Sequence, residues 1–249
     1  TFNLTARDGY ITTGDFASVY TWGYALGGGP MQYPGPTLIV NQGNTVTVNL
    51  SNELTVPVSI VFPGQSRVSA AAVSAPTANG QMTLEAGPGG TVSYTFTVDQ
   101  PGTYMYHSGT RPDLQVEMGL VGALIVRPAG FNQASNRTAY GHAGTAYVHE
   151  YLFLLTEMDP NIHDLVEAGQ ISLVDTTATR KVLWFINGRN APDTMLEAYT
   201  PLLPTQPYNS MPRMHPGDKL LMRVINAGRD MHPLHTHGNN IWQSFTWKE

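Results

Sequence analysis

The feature that most constrains this chain is a repeat of itself at a constant offset of 174 positions. Without a gap, Gly43 falls on Gly217, Val46 on Leu220, Val48 on Met222, Leu50 on Val224, Asn52 on Asn226, Ile60 on Leu234 and Gly64 on Gly238. Apolar alternation is common to all half-buried strands, but the matched glycines and asparagine are not periodic, so a turn, a strand and a terminal glycine recur together. A chain of 249 residues is long enough for two ordinary domains, each with its own core. The expectation is therefore two related units, 1–128 and 129–249, joined through the Pro/Gly/Asn-rich stretch 127–138.

Alternating segments set the class. TLIV (37–40), NTVTVNL (44–50), VSIVF (58–62), TVSYTFTV (91–98), VGALIV (121–126), TAYVHEYLFLL (145–155) and KVLWFING (181–188) read as strands between Gly/Pro turns. Only 12% of residues are charged, while Thr, Val, Gly, Pro and Tyr are abundant, which suits an all-β chain. One short helix is expected, capped by Asp159 and Pro160, running through Glu167 with Ile162, Leu165 and Val166 inward and ended by Gly169. His163 on that helix reads as a solvated residue.

The net charge of -5 and the absence of a Lys/Arg run disfavour nucleic acid and acidic membranes as partners, and no apolar run is long enough to span a bilayer. A first residue that is Thr rather than Met agrees with a processed, periplasmic or extracellular protein. Zero cysteines exclude disulfides, zinc–thiolate sites and a thiolate-held copper supplied by this stretch. There is no GxSxG, P-loop, HExxH or dinucleotide fingerprint. Glu117, Glu150, Glu157 and Asp159 are scattered and read as solvated or capping groups. Met105, Met118, Met211, Met214, Met222 and Met231 read mostly as packing side chains, with thioether ligation of copper as the alternative.

The two copies part company in chemistry. HPLHTHG (232–238) lies on VSIVFPG (58–64), so His232, His235 and His237 stand opposite Val58, Val61 and Pro63. On a strand, residues two apart share a face, which would put His235 and His237 together, with His232 at the strand entrance before Pro233. Neutral imidazole suits copper and zinc. A second candidate, His107, closes the Tyr-rich segment PGTYMYHSGT (101–110) and reads equally as a buried, hydrogen-bonded histidine.

These segments resemble the multicopper oxidase family. HPLHTHG matches its HPxHxHG motif in full, YHSG (106–109) matches YHSH in part, and SIVFPG (59–64) stands where HWHG is found. PGPTLIVNQGNTVTVNLSNEL (34–54) and GLVGALIV (119–126) resemble its framework. The resemblance implies two cupredoxin-like Greek-key β-sandwich domains, with the second incomplete. It implies His232 as a type 1 copper ligand, His235 as a type 2 ligand, and His237 and His107 as type 3 ligands. Val61, Pro63 and Gly109 occupy three further ligand positions, so an ordinary trinuclear cluster is not expected from this chain. Only a short stretch follows Gly238, and FTW (245–247) echoes FTV (96–98), so the counterpart of HSG carrying a Cys is expected beyond Glu249.

The function implied is a copper-dependent oxidoreductase that couples one-electron oxidation of a small-molecule or metal-ion reductant to dioxygen reduction. In small members of that family copper sites lie between neighbouring subunits, which makes a homo-oligomer the natural corollary. The alternatives are a scaffold that has lost its metals and a copper-binding protein without turnover.

Overall fold

The computed structural model describes residues 1–238. Among the described residues are thirteen strands: β1 (Phe2–Thr12), β2 (Ser18–Leu26), β3 (Gly35–Asn41), β4 (Thr45–Asn52), β5 (Ser69–Ser74), β6 (Thr77–Asn79), β7 (Leu84–Ala86), β8 (Thr91–Thr97), β9 (Gly102–His107), β10 (Val121–Arg127), β11 (His149–Met158), β12 (Leu183–Ile186) and β13 (Leu220–Asn226). Two short helices, α1 (Pro112–Gln115) and α2 (Pro160–Glu167), complete the set with three single 3₁₀ turns.

A five-stranded sheet, β2-β1-β4-β8-β5, faces a three-stranded sheet, β3-β10-β9. Leu4, Tyr24, Val48, Leu50, Val92 and Tyr94 from the first meet Leu38, Tyr106, Leu124 and Val126 from the second in one core. A third layer, β12-β11-β13, covers the outer side of β9–β10. Ala123, Leu154 and Ile225 pack there, and Ile11, Met31, Tyr33, Val121, Met158 and Phe185 form a further cluster between the two halves. Strand β10 is thus buried at all seven positions, covered on both faces. Each fully buried Leu, Ile or Val side chain contributes about 1.5–3 kcal/mol, so this strand is the spine of the molecule.

The repeat is real in three dimensions. In each half a strand pairs antiparallel with the next and parallel with a third: β1 with β2 and β4, β11 with β12 and β13. Gly43 and Gly217 open the third strand with φ of 85° and 89°, a region other residues avoid. At its end Asn52 and Asn226 hold the same loop: Nδ2 of Asn52 donates to the Val56 carbonyl and Nδ2 of Asn226 to the Asp230 carbonyl, both at 2.8 Å. Their Oδ1 atoms accept from Leu54 and Gly228, two residues on in each case. The copies differ in which face they bury. Val46, Val48 and Leu50 lie in the first core, whereas Arg223 and Ile225 are the buried residues of β13 and Val224 is 41% exposed. The third layer uses the opposite side of β13 to reach β9 and β10.

Several expectations need correction. VSIVF (58–62) is not a strand; it runs extended, tied by single bridges from Val58 to Ala86 and Val61 to His107. HPLHTHG forms no strand either. The longest antiparallel ladder among the described residues, β1 with β2, escaped the sequence reading, since β2 is buried at five consecutive positions and shows no alternation. Residues 245–247 lie outside the described residues.

Helix α2 has the expected cap, with Asp159 Oδ1 accepting from the Asn161 N–H, and Gly169 follows at φ 72°. His163, however, is fully buried rather than solvated, with Nδ1 2.5 Å from the Tyr20 carbonyl. Burial holds this ring below the usual histidine range, although the carbonyls of Tyr20 and Glu117 and the carboxylates of Asp159 and Asp164 favour its charged form. The unfolded chain takes up this proton near pH 6.5, roughly the free histidine value, and the folded chain does not. Stability present above that pH is therefore lost as pH falls through it towards the folded value. A series of urea unfolding curves at decreasing pH is expected to show this decline and a shallower one for His163→Gln; equal slopes would remove His163 as its source.

Candidate metal centre

The loop closing the second repeat is built around a buried carboxylate. Glu157, near the end of β11, is 4% exposed; of the two expectations for it, solvated or capping, solvation does not hold. The turn after Asn226 wraps it: the backbone N–H groups of Arg229 and Asp230 both donate to its Oε1, the latter at 2.7 Å. Successive N–H groups of this kind make a concave anion seat. A Cβ at position 228 would lie 1.8 Å from Glu157 Oε2, so any larger residue there would displace the carboxylate. The same Oε2 lies 3.1 Å from His232 Nε2. Glu157 thus fixes the ring of the first histidine of HPLHTHG and leaves Nδ1 as its second nitrogen.

Glu157 also lines a cavity of about 200 Å³ between the two halves, with His107, Glu117, Thr156, Arg229 and Met105 among its walls. His107 reaches it from the end of β9. Its Nδ1 lies 2.9 Å from the Ser108 carbonyl, so Nδ1–H donates and Nε2 carries the lone pair. Ligand histidines are commonly oriented by such a bond on the other nitrogen. Glu117 is 7% exposed and accepts from the Asp159 N–H at 2.6 Å. Burial pushes its carboxyl above the usual range, against the lowering effects of that N–H, Arg229 and Lys181.

His235 and His237 come together without a strand: their rings stand edge to face with centroids 4.6 Å apart, and both are exposed. The four predicted imidazoles therefore divide. His107 lines the Glu157 cavity, His232 is held by Glu157 itself, and His235 pairs with His237. Among the described residues, the only close group of three metal-type donors is elsewhere, at His149, His215 and Asp218. Of the three positions lacking histidine in the first half, Pro63 is exposed, while Val61 and Gly109 lie against each other. Val61 pairs with His107 through two backbone hydrogen bonds of 2.8 and 3.2 Å, and a Cβ on Gly109 would meet Val61 Cγ1 at 2.7 Å.

Sequence reasoning missed Glu157 and Glu117 as site residues. The one available signal was Glu157 standing just beyond the apolar run LFLL (152–155) of β11. Of the methionines, Met118 is fully buried, whereas Met214 and Met231 are 40% and 92% exposed and do not pack in the core.

Comparison with known proteins agrees with this architecture. Residues 27–130 match the family described as Multicopper oxidase. Over 101 residues the chain is 38% identical to the Iron transport multicopper oxidase fetC of Epichloe festucae (strain E2368), covering 40% of this chain and 16% of that protein. Over another 101-residue alignment it is 41% identical to the L-ascorbate oxidase of Cucurbita maxima, covering 39% of this chain and 16% of that protein. The match thus spans about a sixth of the length of these curated relatives. The Blue Copper Oxidase from Nitrosomonas europaea shares the fold with a TM-score of 0.64 at 22% identity, over 91% of this chain and 60% of that one. Residues 27–130 are thus similar to the multicopper oxidase family, and the cupredoxin-like fold of the chain is shared with copper oxidases of known structure.

Proposed function

We propose that the chain is a copper-dependent oxidoreductase of the multicopper oxidase type, with domains at 1–128 and 129–249, working in the periplasm or outside the cell. It would couple one-electron oxidation of a small organic or metal-ion reductant to dioxygen reduction. The observation that carries this reading is the state of the imidazoles. His107 gives one ring nitrogen to a carbonyl and His232 gives one to Glu157, so each keeps the other for a ligand.

The donors fit copper held by imidazole, with His235 and His237 as the adjacent pair. They do not fit a thiolate-held copper, since the chain has no Cys. Copper bound to imidazoles supplies one-electron exchange. The chain's own residues do the rest: Glu157 orients His232, and the cavity beside them admits a small reductant. Burial pushes the Glu117 carboxyl up, so this group at the cavity wall takes up a proton more readily than a solvated glutamate. Because Val61, Pro63 and Gly109 provide no ligand, His107 of one chain would meet His235 and His237 of another in a homo-oligomer.

A second reading, copper binding without turnover, draws on the close packing of Val61 against Gly109. Copper per chain and dioxygen uptake, measured with a phenol and with ferrous iron as reductants, separate the two. The oxidase reading expects bound copper and oxygen consumption that depends on reductant. Copper with no uptake leaves the binding protein, and background copper with no uptake defeats both.

A further inference from the structure

We propose that His149, His215 and Asp218 form a second metal site, for a divalent cation of the zinc class, on the surface of the second repeat. Its donors share no residue with the His232–His237 segment. His149 opens β11, and the other two flank the turn that leads into β13. Parallel pairing of these strands, with His149 opposite Leu220, brings the three together. Asp218 Oδ2 is 2.9 Å from His149 Nε2 and 3.5 Å from His215 Nδ1, and all three ligand atoms lie within 4.8 Å of one another. Ligands about 2.0–2.1 Å from a tetrahedral zinc stand roughly 3.3 Å apart, so small ring movements would close the set. Two imidazoles and one carboxylate leave a coordination position for water, the arrangement of open sites.

The repeat supplies an internal control. Asn41 and Asn44 are the counterparts of His215 and Asp218 at the 174-residue offset. Asn44 Oδ1 accepts from the Asn41 N–H at 2.9 Å, and Asp218 Oδ2 accepts from the His215 N–H at 2.9 Å. The turn itself therefore needs only an Asx side chain at its fourth position. It explains neither the carboxylate charge nor the two imidazoles. The His215 side chain is 90% exposed, so burial does not account for it. His149 and Asp218 are only partly exposed, which limits competition from water.

The test uses full-length chain carrying H235A and H237A, so that those imidazoles do not bind the probe. Titration calorimetry with zinc ion is expected to show one ion per chain. Adding H215A or D218N should weaken it at least ~10-fold, the lower end of what even outer-sphere partners contribute. D218N keeps the turn, since Asn does the same work at position 44, and H215A touches no core residue. Absence of zinc binding, or an isotherm that neither substitution changes, overturns the site and leaves His149–Asp218 as a plain ion pair. Neither result bears on the copper reading.

Discussion

Replacing His235 and His237 together by alanine is expected to reduce bound copper to background while leaving the unfolding midpoint where it was. Both rings are exposed and meet each other edge to face. Surface substitutions of this sort change stability by no more than about 0.5 kcal/mol. Loss of metal affinity should be far larger, because outer-sphere partners alone are worth about 10–100-fold and these are the proposed ligands. Metal analysis after dialysis and a urea curve on the same sample read the two effects. Copper retained at the original ratio would exclude the pair as the site. A fallen midpoint would instead assign the rings a structural role and favour a scaffold that no longer needs metal.

The second large effect concerns what holds the two halves together. Glu150 stands between two guanidinium groups, Arg127 at 2.5 Å and Arg223, whose Nε bonds its other oxygen. Arg223 has a side chain only 1% exposed and also donates to Thr103 Oγ1 at 2.8 Å, so the network ties β13 and β11 to β9 and β10. Arg127 further stacks over Phe131 at 4.4 Å and meets the Tyr147 hydroxyl. Removing the shared anion leaves two largely buried cations facing each other. Breaking a buried pair in this way costs about 3–5 kcal/mol, a large share of the roughly 5–15 kcal/mol that holds a domain folded. Glu150→Ala is expected to shift urea unfolding by that amount, and Glu150→Gln, which keeps the acceptor oxygen, by less. A shift below about 1 kcal/mol for the alanine variant would mean that water or a rearranged partner replaces the carboxylate.

How far the sequence could be read depended on the range of the interaction. The helix cap at Asp159 and the glycine that ends α2 were legible because both act within a few residues. The burial of His163 was not, since the covering carbonyl belongs to Tyr20, 143 positions away in the chain. Segment 58–62 carries a strand's alternation and buries Val58, Ile60 and Phe62 accordingly, yet it finds only isolated bridge partners. Alternation reports which side of a segment is apolar and says nothing of whether a ladder is available. The proposed metal ligands show the same division. The imidazoles were visible as a motif, while their outer partner Glu157 reads as an ordinary strand carboxylate until the loop at 226–230 closes around it.

The sequence by itself determined the all-β class, the doubled unit and the concentration of imidazoles in its second copy, because turn chemistry, residue alternation and ligand type are local properties. Only the tertiary structure decided that His232 leans on Glu157, that Val61 fills the space beside Gly109, and that β13 turns Arg223 and Ile225 towards β9 and β10. Those choices depend on which distant surfaces meet, and a period of two allows either face of a strand to be the buried one.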